Sequence, residues 1–203
     1  PRLRLAIEKA KAGNMPKDIL ERAIKKGSGE LEGVDFTEMR YEGYGPAGTA
    51  FIVEAVTDNK NRTASEMRMT FSRKDGNLGA DGAVSWMFKK KGIITVKSEG
   101  IDNDEFMMAA LEAGAEDVTE EEGYFEVTTE YTEFQTVLEN LKNAGYQYEE
   151  AEISMIPENT VEITDLETAK KVMALYDALE DLDDSQNVYS NFDIPDEILE
   201  QLD

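Results

Sequence analysis

The stretch IITVKSEGIDNDEFMMAALEAGAEDVTEEEGYFEVTTEYTEFQTVLENLKNAGYQYEEAEISMI, residues 93–156, carries the order of elements that decides the fold. Ile93 to Val96 reads as a strand, and Asp102 with Glu105 marks the start of a helix that Gly114 ends. Ala115 to Val118 and Tyr124 to Thr128 carry strand signals. Thr132 and Gln135 stand at capping-box spacing, Phe134, Val137, Leu138 and Leu141 follow at helical offsets, and Gly145 terminates that helix. Ala151 to Ile156 closes the unit as a strand. The order is β-α-β-β-α-β, the ferredoxin-like arrangement.

Outward from this unit the pattern changes. Residues 1–27 read as two short helices, with Leu3, Ala6, Ile7 and Ala10 on one face and, after a break at Gly13-Asn14, Ile19, Leu20, Ala23 and Ile24 on another. Asn14 reads as a cap and Pro16 as a first-turn residue. Two such helices bury little alone, so a longer parent with a preceding segment is expected. Gly27 to Val34 reads as a linker. Arg40 to Tyr44 is extended, Gly45-Pro46-Ala47-Gly48 turns, and Ala50 to Val56 is an apolar strand. A helix follows, with Thr63 and Glu66 as its capping box and Ala64, Met67 and Phe71 on one face; Ala83 to Phe88 is expected as a buried strand that stops at Lys89-Lys90-Lys91. Beyond Pro157 come Val161 to Ile163, a long helix from Leu166 capped by Thr164 and Glu167, and a strand from Val188 to Ile194. These last pieces are too little to fold alone, and they are expected to return to the middle unit. The prediction is an α+β protein of three domains: an N-terminal helical domain at 1–32, a middle domain at 33–92 completed by 159–203, and an inserted acidic ferredoxin-like domain at 93–158.

Charge divides the chain. Residues 1–97 hold 18 Lys/Arg against 13 Asp/Glu, whereas residues 98–203 hold 3 against 31. With a screening length of about 8 Å at physiological salt, a partner touching the first part feels its local charge and not the overall balance of −23. With no cysteine and no histidine, the chain has no disulfides, no thiolate nucleophile, no Ser-His triad and no ordinary zinc site. No run of the length of a membrane span is present. A cytoplasmic protein without catalytic residues, metal or cofactor is expected.

The candidate binding residues are Lys17, Arg22, Lys25, Lys26, Arg40, Arg62, Arg68, Arg73, Lys74, Lys89, Lys90 and Lys91, which together suit nucleic-acid phosphates. Each alone is more often a solvated charge, and Lys25-Lys26 at a helix C-terminus also complements the helix dipole. Tyr41, Tyr44 and Trp86 offer rings on which unpaired bases stack. Trp86, between Val84 and Phe88, reads as core, which leaves Tyr44 beside its glycine-proline turn as the exposed stacking candidate. Gly43, Gly45 and Gly48 match neither the dinucleotide fingerprint nor the P-loop, and a tight turn explains them. The acidic clusters at 120–122, 149–150 and 180–184 lack the ligand spacing of a calcium loop.

Four stretches carry a resemblance: MPKDILERAIKKG from Met15, RYEGYGPAG from Arg40, TDNKNRT from Thr57 and DGNLGADGAVSWMFKKKG from Asp75. In this order they resemble the YebC/PmpR family over essentially the whole chain. The resemblance implies the three-domain α+β plan just described. It also implies a regulator of gene expression and no enzyme: the family has been labelled DNA-binding and transcriptional, its mitochondrial relatives are translational activators, and bacterial members have been linked to translating ribosomes. The family's basic, aromatic-containing segment ahead of the helices has no counterpart in this sequence. The expectation is a nucleic-acid-binding regulator acting in translation on RNA or the ribosome. A sequence-specific DNA-binding transcription factor and a protein-interaction scaffold are the alternatives. The first is preferred because Lys17, Arg22, Lys25 and Lys26 suit phosphates better than base edges.

Overall fold

The computed structural model describes residues 2–28 and 35–202. Most of the expected linker, residues 29–34, lies outside the described residues. In chain order the elements are α1 (Arg2–Ala12), α2 (Lys17–Gly27), β1 (Thr37–Tyr44), β2 (Ala50–Thr57), α3 (Lys60–Arg73), β3 (Asn77–Leu78), β4 (Phe88–Lys97), α4 (Asn103–Ala113), β5 (Asp117–Glu121) and β6 (Tyr124–Glu130). They continue with α5 (Phe134–Asn143), β7 (Glu150–Pro157), β8 (Val161–Glu162), α6 (Leu166–Glu180), β9 (Ser185–Ser190), β10 (Phe192–Asp193) and α7 (Asp196–Leu199). The chain divides into two compact units, one of residues 1–22 with 90–155, the other of residues 23–89 with 156–203. By contacts, α1 is grouped with the ferredoxin-like unit.

In the unit of residues 23–89 and 156–203, a four-stranded sheet runs β3-β1-β2-β9. Strand alternation sends Tyr41, Phe51, Val53, Ala55 and Val188 to one face, where they meet Met67 and Phe71 of α3 and Val172, Leu175 and Leu179 of α6. Ala50 to Val53 is buried without alternation, as a central strand covered on both faces requires. The chain after α6 returns as β9 beside β2, with Val53 opposite Val188. The expected Val188–Ile194 strand is split, because the buried Asn191 side chain accepts the Ala50 N–H at 2.7 Å and the chain then leaves to pair β10 with β8.

The helix starts correct three expected caps. α3 begins at Lys60, where the Asn59 side chain accepts the Arg62 N–H at 3.1 Å, ahead of the expected Thr63. Asp165, not Thr164, caps α6 by accepting from Thr168 N at 2.9 Å. α5 follows Glu133 without a side-chain cap. A short acidic or amide side chain with an oxygen at the right reach displaces threonine in both capped cases.

In the unit of residues 1–22 and 90–155, the sheet order β5-β6-β4-β7 is ferredoxin-like. Asp102 caps α4, and Gly114 ends it at φ +105°, a conformation that only glycine adopts without strain. The core gathers Ile94, Val96, Phe106, Ala110, Phe125, Val127, Phe134, Val137, Leu138 and Leu141, with the Phe106 and Phe125 rings stacked at 4.3 Å. α1 is tied to the sheet by Lys9, 3.0 Å from Glu150 and 3.4 Å from Glu152, and by the Tyr148 hydroxyl donating to Glu8 at 3.1 Å. β4 is longer than expected, because the strand expected at Ala83–Phe88 is replaced by a 3-10 turn at Ser85–Met87 and Phe88 already opens β4. Consequently Lys89, Lys90 and Lys91 lie inside a strand.

Candidate nucleic-acid interface

The second and fourth of the resembling stretches meet in one place. β3 pairs with the end of β1, Gly43 opposite Leu78 and Tyr44 opposite Asn77. A Cβ on Gly43 would lie 2.7 Å from the Asn77 carbonyl oxygen and 2.7 Å from the Phe71 ring, so only glycine lets the loop come this close. The Gly79 N–H then donates to the Glu42 carbonyl at 2.8 Å. The Glu42 side chain is fully buried, and its Oε2 accepts N–H groups from Val84 at 2.9 Å and Ser85 at 2.8 Å. Its Oε1 lies 3.3 Å from Arg40 Nε, an ion pair without hydrogen-bond geometry. Burial pushes this carboxyl up, but the backbone donors of Val84, Ser85 and Gly82 outweigh burial and hold it below its usual value. Glu42 is thus an ionised anchor for a glycine-rich loop.

That loop presents Trp86. The indole is 68% exposed, and its Nε1–H donates to the Ala83 carbonyl at 3.1 Å. The Tyr44 hydroxyl donates to the same carbonyl, also at 3.1 Å. The expected roles of the aromatic residues are therefore reversed: Trp86 is the open ring, Tyr44 is half-buried and spends its hydroxyl on the loop, and Tyr41 is core. The 3-10 turn directs the Trp86 side chain outward, while Val84 and Phe88 on either side go in. A weak sequence signal existed, since Gly79 and Gly82 precede Trp86 and Glu42 shares a strand face with Arg40 and Tyr44.

The structure sorts the expected cations. Arg62 is committed within its unit: its guanidinium lies 2.9 Å from both Asp58 and Asp184, while the Thr63 hydroxyl lies 2.6 Å from Asp184 and 2.7 Å from Thr57 Oγ1. The TDNKNRT stretch is a polar knot joining α3 to the chain before β9. Lys91 is 8% exposed, 2.5 Å from Glu116 and also paired with Glu130, and these partners, Glu116 first, hold its ammonium above the usual range. Arg62 and Lys91, both expected to meet phosphates, each satisfy carboxylates of their own unit. Lys89 pairs with Glu158 at 2.7 Å, Lys17 with Glu21 at 3.7 Å, and Arg40 with Glu42. Lys90 lies over the Tyr131 ring at 4.5 Å and Lys26 over Phe36 at 5.3 Å. Arg68, Arg73 and Lys74, on α3 and its C-terminal cap, are exposed and have no ion-pair partner among the described residues, as do Arg22 and Lys25 on α2. Among the described residues no cluster of three or more acidic side chains could hold a metal ion, and no helix is long and apolar enough to cross a membrane.

A family model described as the TACO1/YebC second and third domain matches residues 36–192, and one for the TACO1/YebC N-terminal domain matches residues 1–30. The chain belongs to the TACO1/YebC family. Its relatives include a "Probable transcriptional regulatory protein" of Fusobacterium nucleatum, 97% identical over all of this chain and 82% of the relative. Another of the same name, from Geobacter sulfurreducens, is 55% identical over all of this chain and 81% of the relative. The crystal structure of a conserved hypothetical protein from Aquifex aeolicus superposes with a TM-score of 0.87 at 51% identity, covering 96% of this chain and 80% of that one. This TACO1/YebC chain therefore shares an α+β fold with a solved structure, and its relatives' names place the family among regulators of gene expression.

Proposed function

We propose that this protein is a non-enzymatic, cytoplasmic regulator that binds single-stranded RNA and acts in translation, at the ribosome. The observation that carries the reading is the two-thirds-exposed Trp86 indole, held by the Ala83 carbonyl on a loop that Glu42 anchors. A ring fixed in this way stacks on an unpaired base at low entropic cost, whereas duplex bases are already stacked on one another. Arg68, Arg73 and Lys74 supply phosphate contacts in the same unit without breaking any internal ion pair. Sequence-specific duplex DNA binding is the reading that the relatives' names suggest, and Trp86 separates the two.

Trp86 is the only tryptophan, so its emission reports the site directly. Titration with a single-stranded RNA oligonucleotide is expected to quench it, and a DNA duplex of equal length is expected to leave it nearly unchanged. Base stacking contributes about 1–3 kcal/mol per base, so Trp86→Ala weakens RNA binding roughly 5- to 150-fold, followed by anisotropy of a labelled strand. Co-sedimentation of the protein with ribosomes is expected to fall in the same variant. Tight, sequence-selective duplex binding at physiological salt that survives Trp86→Ala overturns the proposal.

A further inference from the structure

α4 is apolar on its outer face. Phe106 and Ala110 point into the core and are fully buried, as an amphipathic helix on a sheet requires. Met107, Met108 and Leu111 nevertheless stand on the solvent side at 40%, 63% and 54% exposure. With Asp104 they occupy positions i, i+3, i+4 and i+7, which line up as one stripe along the helix. Single exposed apolar side chains are ordinary, but three large ones aligned on a short helix make a ridge.

The surroundings are acidic. Asp104, Glu105 and Glu112 border the ridge on α4 itself, and Glu120 of β5 accepts from the Asn103 side chain at the start of the helix. Residues 93–158 contain 18 carboxylates and only two lysines. Both lysines are engaged: Lys97 lies 2.8 Å from Glu99, and Lys142 lies over the Tyr148 ring at 4.7 Å. A nucleic acid or an anionic lipid surface is repelled here, and two copies of the same acidic face repel each other.

We infer that the Met107–Met108–Leu111 ridge docks a basic amphipathic segment of a partner protein, whose apolar side chains cover the ridge while flanking lysines or arginines meet the carboxylates around it. Methionine suits this role because its unbranched, polarisable side chain repacks against differently shaped partners. A helix laying its apolar face along the stripe uses the same i, i+3, i+4, i+7 spacing. The surface is separate from Trp86, and the inference stands without the RNA reading.

The test uses the whole chain and two synthetic peptides of one amphipathic pattern, Leu/Lys and Leu/Glu, each fluorescently labelled. The Leu/Lys peptide is expected to bind and the Leu/Glu peptide not to. In the chain labelled at methionine methyl groups, the Met107 and Met108 resonances shift on binding while those of the buried Met67 do not. The triple variant Met107→Ser, Met108→Ser, Leu111→Ser, whose sites are exposed, is expected to keep its melting temperature and RNA quenching while its peptide affinity falls about tenfold or more. Met108→Leu is expected to retain binding. Leu/Lys binding unchanged in the triple variant shows simple electrostatic adsorption and overturns the inference. So does ridge-dependent self-association, or ridge-dependent binding to zwitterionic vesicles, in place of peptide binding.

Discussion

Replacing the anchor of the tryptophan loop, Glu42→Gln, is the most informative perturbation of the fold. The wild-type carboxylate accepts two backbone N–H groups at 2.9 and 2.8 Å from Val84 and Ser85. Hydrogen bonds to a charged acceptor contribute about 1.5–3 kcal/mol each, against about 0.5–1.5 for neutral ones. The amide keeps one oxygen for both donors, so the loss is about 1 kcal/mol per bond, or roughly 2 kcal/mol in all. It also turns an NH2 toward Arg40, where the carboxylate had offered an oxygen. For a chain of this length that corresponds to a melting temperature lowered by about 4–8 °C. The pH dependence follows from the direction of the shift. The folded carboxyl lies below its usual value near 4.5, so its contribution is complete above that value and is lost as pH falls through the folded value. The gap between wild type and Glu42→Gln is therefore widest at neutral pH and closes in acid. Thermal melts followed by Trp86 emission across a pH series measure it. A variant that melts with the wild type at pH 7, or a gap that persists undiminished well below the usual carboxyl range, refutes the anchoring role.

Four further perturbations separate structural from binding charges. Asp184→Asn lowers the melting temperature at neutral pH, because the carboxyl is held low by Thr63, Arg62 and Thr57 against its burial, and the deficit closes as pH falls through its folded value. Arg62→Ala shares the loss of stability and leaves RNA quenching of the folded protein intact. Reversing Arg68, Arg73 and Lys74 together reduces the salt dependence of single-strand binding by about 0.7 in log–log slope for each phosphate no longer neutralised, whereas Lys91→Met destabilises the ferredoxin-like unit and leaves that slope alone. Phe106→Ala empties a fully buried site stacked on Phe125 and costs about 3–5 kcal/mol, read by denaturant unfolding.

The ferredoxin-like unit was legible in the sequence because its determinants are local. Asp102, Gly114 and the Phe134-Val137-Leu138-Leu141 face each act within one element, and strand order then follows from connectivity. Caps were legible only to within a residue or two: Asn59 and Asp165 stand beside threonines that satisfy the same pattern, and only the reach of each oxygen decides. The ion pairs of Arg62 and Lys91 were not legible at all. Their carboxylates, Asp184 and Glu116 with Glu130, come from distant stretches, and a lysine or arginine in sequence looks the same whether it is committed or free.

Trp86 shows why the site was harder to read than the fold. Flanked by Val84 and Phe88, an indole satisfies every local criterion for burial, and both neighbours are indeed buried. What places it in solvent is a carboxylate more than forty residues earlier in the chain, at a buried position where carboxylates rarely lie, together with a glycine that admits the loop against β1. A buried charge bound by backbone N–H groups fixes one conformation of the segment it holds as well as stabilising it. Glu42 holds a loop that sends Val84 and Phe88 inward and leaves the ring between them in solvent, and the product is one fixed, open aromatic face. Loss of RNA stacking in Glu42→Gln, at a temperature where the variant is still folded, distinguishes this division of labour from a loop that merely happens to expose its tryptophan.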